Sequence, residues 1–215
     1  MDSSHALAAH AASPAHIDTS TGLDSRKMAF WTFIGSECLL FGSLIATYLA
    51  YKGKSLTPPY PHDVTDAAGN VIHHGVLNIP LTTFSTFILL MSSVAMVFAL
   101  YNVQRGDRKW GAFWLFATAF GGSIFLGCQV YEFTEFYRHG MTLKSNLFGS
   151  TFFLLTGFHG AHVTVGIIYL ITLGVMGLRG RIGPERTLNV EIAGLYWHFV
   201  DVIWIVIFPL IYLIK

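Results

Sequence analysis

Five ionisable side chains fall inside apolar stretches of the chain: Glu37, His159, His162, His198 and Asp201. A charge at bilayer depth is expensive, so each is a candidate functional residue by default. Three further carboxylates, Glu132, Glu135 and Glu191, lie nearer the ends of such stretches. His159 and His162 are three apart, as are His198 and Asp201, and Glu132 and Glu135, so on a helix each pair shares a face. Glu191, His198 and Asp201 extend one stripe. Three histidines with nearby carboxylates could ligate a metal or a haem. The same groups could instead satisfy one another through interhelical hydrogen bonds. A di-metal carboxylate bundle needs Glu-x-x-His pairs, and the sequence has none. A third reading makes Glu37 the titrating group of a proton-coupled transporter. The lack of repeated halves opposes a transporter fold but leaves proton handling open.

Depth decides which of these groups can meet. At 1.5 Å per residue, Glu37 and Asp201 each lie on the order of 13 Å from the same edge of their spans, and His162 reaches a similar level. Three groups at one depth on three helices are expected to converge.

The elements that must position them are set by composition. Hydrophobic residues make up 53% of the 215 and charged residues 12%, about half the charged share of an ordinary soluble chain. Mean hydropathy is +0.55. A soluble fold could not cover that apolar surface, and disorder is excluded by the same numbers. A net charge of +1 gives no basic footprint, so nucleic acid is not an expected partner. The expected architecture is all-α, a five-helix membrane bundle with spans of about 28–51, 79–101, 110–133, 149–178 and 192–214. Each is long enough to cross a bilayer, and none alternates as a barrel strand would. Residues 1–27 read as a polar tail preceding a transmembrane domain over 28–215, without the features of a signal peptide.

Details inside the spans carry their own expectations. Pro80 opens the second span, where its missing N–H costs nothing. Pro209 should kink the fifth. Gly35, Gly42, Gly121, Gly122, Gly127, Gly157, Gly160 and Gly166 are expected to let helices approach closely. Cys38 and Cys128 read as small buried hydrophobes, not a disulfide. Pro58, Pro59, Pro61, Gly69 and Asn70 mark turns in the loop after the first span. With the N-terminus inside, the inner loops hold eight Lys or Arg and the outer ones five, which favours an N-in, C-out topology.

At the same residues the sequence resembles subunit III of haem–copper terminal oxidases. The strings that carry the resemblance are Phe33-Ile34-Gly35-Ser36-Glu37 and Gln129-Val130-Tyr131-Glu132. They continue with Gly149-Ser150-Thr151-Phe152-Phe153, Thr156-Gly157-Phe158-His159-Gly160-Ala161-His162-Val163 and Tyr196-Trp197-His198-Phe199-Val200-Asp201-Val202-Ile203-Trp204. Together they cover about Met28 to Lys215.

The resemblance implies an accessory subunit of a proton-pumping cytochrome c oxidase in a bacterial cytoplasmic membrane, with a quinol oxidase as the alternative. It implies direct contact with subunit I, a complex that includes subunits II and IV, and bound phospholipid. Haems and copper would lie in partner subunits, with no redox centre in this chain. The family's carbodiimide-reactive carboxylate matches Glu37, and its paired histidines match His159 and His162, which implies a Glu37–His162 bond. Longer members have seven spans; this chain looks like the shorter five-helix form. Thr83-Phe84-Ser85-Thr86 stands where many relatives carry Asn-Thr.

Overall fold

The computed structural model describes residues 25–54, 64–65, 71–73, 75, 77–181 and 187–214. Residues 1–24 of the expected polar tail and the turn residues of the long loop lie outside them, while Ser25, Arg26 and Lys27, expected in that tail, open the first helix. Five long helices account for nearly all of the described chain: α1 (Ser25–Tyr51), α2 (Ile79–Gln104), α3 (Arg108–Arg138), α4 (Leu147–Leu178) and α5 (Thr187–Phe208). A small antiparallel ladder joins β1 (Val64–Thr65) to β2 (Val71–His73) in the α1–α2 connection. All five helices are long and apolar enough to cross a membrane. The expected all-α architecture of five spans is the one observed.

The helices begin where polar side chains can satisfy their first N–H groups. Asn78 accepts from the Leu81 N–H, Asp107 from Trp110 and Asn146 from Gly149. Pro80 sits in the first turn of α2. Between α2 and α3, Gly106 adopts φ +79°, and the Asp107 N–H returns to the Asn102 carbonyl. That left-handed residue reverses the chain in a few residues. At the other end of α5 the hydrogen-bond pattern widens into a π-helical segment, Pro209–Leu213. Pro209 has no N–H to continue the α-helical ladder, so the expected disturbance takes this form.

Helix α3 packs extensively against both α2 and α4, and α5 lies against α2 and α4. Helix α1 joins the bundle through α4 and α5 and buries only Ile34, Phe41 and Tyr48. The core is aromatic, with Trp197, Trp204, Tyr212, Phe125, Phe136 and Phe152 fully enclosed. Glycine makes room for the largest of these. A Cβ on Gly122 would overlap Cη2 of Trp197, and one on Gly166 would come 3.0 Å from the same indole. A Cβ at Gly121 would meet Ser92 at 2.9 Å.

Two expectations about small residues need correction. Gly35, Gly42, Gly127 and Gly157 have nothing within 4 Å of a Cβ position, so they do not bring helices of this chain together. Cys38 is exposed and Cys128 only half-buried, both as free thiols. A uniformly apolar span does not distinguish its lipid face from its packed face, so sequence could not place them.

Candidate functional site

Helix α1 carries Glu37 about 18 Å from its start, and α4 carries His162 about 24 Å from its end, at 1.5 Å per residue. The two meet: His162 Nε2 lies 3.0 Å from Glu37 Oε2, with side chains 17% and 15% exposed. They therefore sit at the rim of the bundle, not in its centre. The other ring nitrogen, Nδ1, is 2.7 Å from the Phe158 carbonyl. A carbonyl only accepts, so Nδ1 must carry a hydrogen. That fixes the proton count. Either Glu37 is a carboxylic acid donating to a neutral imidazole, or it is a carboxylate accepting from an imidazolium. In both forms the pair holds one proton between its two heavy atoms and is neutral overall.

The surroundings hold that geometry. The Phe41 ring stands edge-on to His162 with centroids 5.0 Å apart, and is itself 1% exposed. Tyr196 of α5 donates its hydroxyl to the His162 carbonyl at 3.0 Å. Phe41 and Tyr196 are contributors that sequence reasoning missed. Their signal was one of spacing: Phe41 follows Glu37 by one helical turn.

His159 takes a different environment from its neighbour. It is fully buried, stacks on Trp204 with centroids 4.8 Å apart, and neither ring nitrogen has a hydrogen-bond partner among the described residues. Its Phe125 and Phe41 neighbours are also aromatic.

Asp201 does not join the Glu37–His162 pair. Its Oδ2 accepts from Ser93 Oγ of α2 at 2.6 Å. Depth was matched, but azimuth around α5 points Asp201 at α2 instead of α1. His198, one turn earlier, is half-buried on the same helix. Nor do the other paired spacings hold as groups. Glu132 is buried and bonded to Thr82 and Tyr212, whereas Glu135 pairs with Arg138 at 2.8 Å. Glu191 leaves the His198–Asp201 stripe to meet Lys27 of α1 at 2.7 Å. Among the described residues no group of three His, Cys, Asp or Glu side chains could hold a metal ion.

A hydroxyl seam along α2, not anticipated from the sequence, anchors α5. Ser92 accepts from Trp197 Nε1 at 3.0 Å and Thr86 from Trp204 Nε1 at 2.9 Å. Each hydroxyl gives its own hydrogen to a carbonyl of α2, Leu89 for Ser92 and Thr82 for Thr86. The sequence signal was the run of Ser and Thr at helical spacing from Thr82 to Ser93.

Fold and site together define a multi-pass helical membrane protein whose most accessible buried-acid chemistry is a single carboxyl–imidazole pair. Residues 12–215 match the family described as "Cytochrome c oxidase subunit III". The chain is 34% identical over 189 residues to cytochrome c oxidase subunit 3 of Bacillus sp. (strain PS3), covering 88% of this chain and 86% of that one. It is also 34% identical to quinol oxidase subunit 3 of Bacillus subtilis (strain 168), over 86% of this chain and 85% of the relative. A probable quinol oxidase subunit 3 of Staphylococcus aureus (strain USA300) matches at 34%, over 92% and 96%. This chain belongs to the subunit III family of haem–copper oxidases.

Proposed function

We propose that the chain is the accessory third subunit of a respiratory oxidase that reduces oxygen to water and pumps protons. It packs directly on subunit I in a complex with subunits II and IV, and the Glu37–His162 pair supports proton uptake during turnover. The observation that carries this reading is the proton count of that pair. The pair rests neutral with one shared proton, so it carries no unpaired charge at rest, and taking up or giving off a proton there creates one net charge at the bundle rim rather than in its centre. Its position at the bundle rim, on the loosely attached α1, leaves it open to lipid or to a neighbouring subunit. Bound phospholipid fits the same exposed apolar face. His159, His198 and Asp201 are supporting buried polar groups, with haems and copper in the partner subunits.

The loop charges support an N-in, C-out orientation in a bacterial cytoplasmic membrane, with the polar residues that precede α1 on the inner side. Cytochrome c is the proposed donor, as in the name of the Bacillus sp. (strain PS3) relative. Quinol is the second reading, favoured by the equally similar relatives named for it. Oxygen consumption by the purified complex with each reduced donor separates the two.

The test of the site is Glu37→Gln in the assembled oxidase. Glutamine keeps the shape and a hydrogen-bonding head but cannot exchange a carboxyl proton. The haem spectrum should be unchanged, while proton uptake slows or the enzyme inactivates after fewer turnovers. A variant with wild-type uptake and lifetime would refute the assignment.

A further inference from the structure

A second acid lies deeper than Glu37 and on other helices. Glu132 of α3 is 5% exposed and faces the first turn of α2 and the π segment after α5. Its Oε2 accepts from the Tyr212 hydroxyl at 2.8 Å, and its Oε1 lies 3.0 Å from Thr82 Oγ1. Among the described residues no Lys, Arg or His pairs with it, in contrast to Glu37, Glu135 and Glu191. Its partners are the Thr82 and Tyr212 hydroxyls and the Asn78 backbone amide, all neutral, so a carboxylate there would carry a charge with no counter-ion, a costly arrangement in a low-dielectric interior.

Counting hydrogens resolves the conflict. Thr82 Oγ1 has one hydrogen but two oxygens in reach, Glu132 Oε1 at 3.0 Å and the Asn78 carbonyl at 2.9 Å. Its neighbours on α2 show how such hydroxyls are used. Thr86 and Ser92 each donate back to their own helix and accept from a donor across the interface. Thr82 fits that pattern if its hydrogen goes to Asn78 and it accepts from Glu132. The hydrogen between them then belongs to the acid.

Beside this acid is a cavity lined by Thr82, Ser85, Cys128, Gln129, Glu132 and Trp204, among others, with about 10 Å³ open to the centre of a water. That is close to the minimum for one water molecule, which also needs two or more polar partners. Ser85, Gln129 and Glu132 can supply them, and Gln129 Oε1 is buried with no hydrogen-bond partner among the described residues.

We propose that Glu132 is held as a neutral carboxylic acid, donating from Oε1 to Thr82 and accepting at Oε2 from Tyr212. One water in the adjoining cavity exchanges the acid proton. This is a proton-holding site separate from Glu37–His162 and built from α2, α3 and the π segment. It stands whether or not the Glu37 pair serves proton uptake.

Infrared difference spectroscopy on the purified oxidase tests it. Wild type minus Glu132→Gln should show a carboxylic acid C=O stretch, which the Glu37→Gln difference does not account for. Tyr212→Phe removes the donor to the carbonyl oxygen and should move that band to higher wavenumber. Thr82→Val removes the acceptor and should move it as well. Transfer to heavy water should lower the band as the acid proton is replaced by a deuteron. Carboxylate bands alone in the Glu132→Gln difference would overturn the neutral acid. An acid band that never shifts in heavy water would overturn the water site. If Glu132→Gln does not assemble, the Tyr212→Phe shift decides the first point.

Discussion

The wedge between Gly122 and Gly166 makes a quantitative prediction for Gly122→Ala. The added methyl would overlap Trp197 Cη2, lie 2.9 Å from Cζ2 and reach within 3.2 Å of Ile167 Cγ1. Trp197 has nowhere to retreat. It is 1% exposed, meets Gly166 on α4, and is tied through Nε1 to Ser92. Overpacking a filled core costs about 1–3 kcal/mol, and losing the indole hydrogen bond would add about 1 kcal/mol. A total of about 2–4 kcal/mol corresponds to roughly a 30- to 900-fold shift in equilibrium. Gly127→Ala, which meets nothing within 4 Å, is the matched control and should change stability little. The assay is retention of folded subunit in the oxidase after graded heating in mild detergent, read by size exclusion. Trp197→Phe shortens the ring, so the alanine should cost at least about 1 kcal/mol less in that background, as coupled neighbours do. Equal behaviour of Gly122→Ala and Gly127→Ala, or strict additivity with Trp197→Phe, would refute the packing argument.

Two more predictions concern the edges of the bundle. Lys52 Nζ bonds the Ile214 carbonyl at 2.6 Å and the Leu210 carbonyl at 3.4 Å, so Lys52→Met should speed amide exchange in the Pro209–Leu213 segment while Lys54→Met leaves it unchanged. The Lys27–Glu191 pair is about one-third exposed on each side, so a double-mutant cycle should give a coupling below about 1 kcal/mol that fades in high salt; a larger, salt-insensitive value would mean that this end is closed off from solvent.

The spans were readable because an apolar run of the right length has few alternatives in a chain so poor in charge. Their ends were not. Helix α3 runs on to Arg138, well past the expected end near Phe133, and α5 begins at Thr187, before the expected Ile192. Hydropathy stops at the first charges, but helical hydrogen bonding continues through them until a cap or a glycine intervenes. The Glu37–His162 contact was suggested by matched depth together with the family resemblance. Asp201 was misdirected because its partner, Ser93, is neutral and invisible to a search for charges. The indole bonds to Ser92 and Thr86 escaped for the same reason.

Three polar contacts tie α5 to α2, at Ser92, Ser93 and Thr86, and their spacings differ along the two helices. Sliding one helix by a turn, about 5.4 Å, would break all three together, with no equivalent set of partners to receive them. This interface therefore works like a keyed shaft, with one permitted setting. Helix α1 is fixed differently: it buries only Ile34, Phe41 and Tyr48 and is pinned at separate points by the acid–imidazole clasp, Lys27 and Lys52.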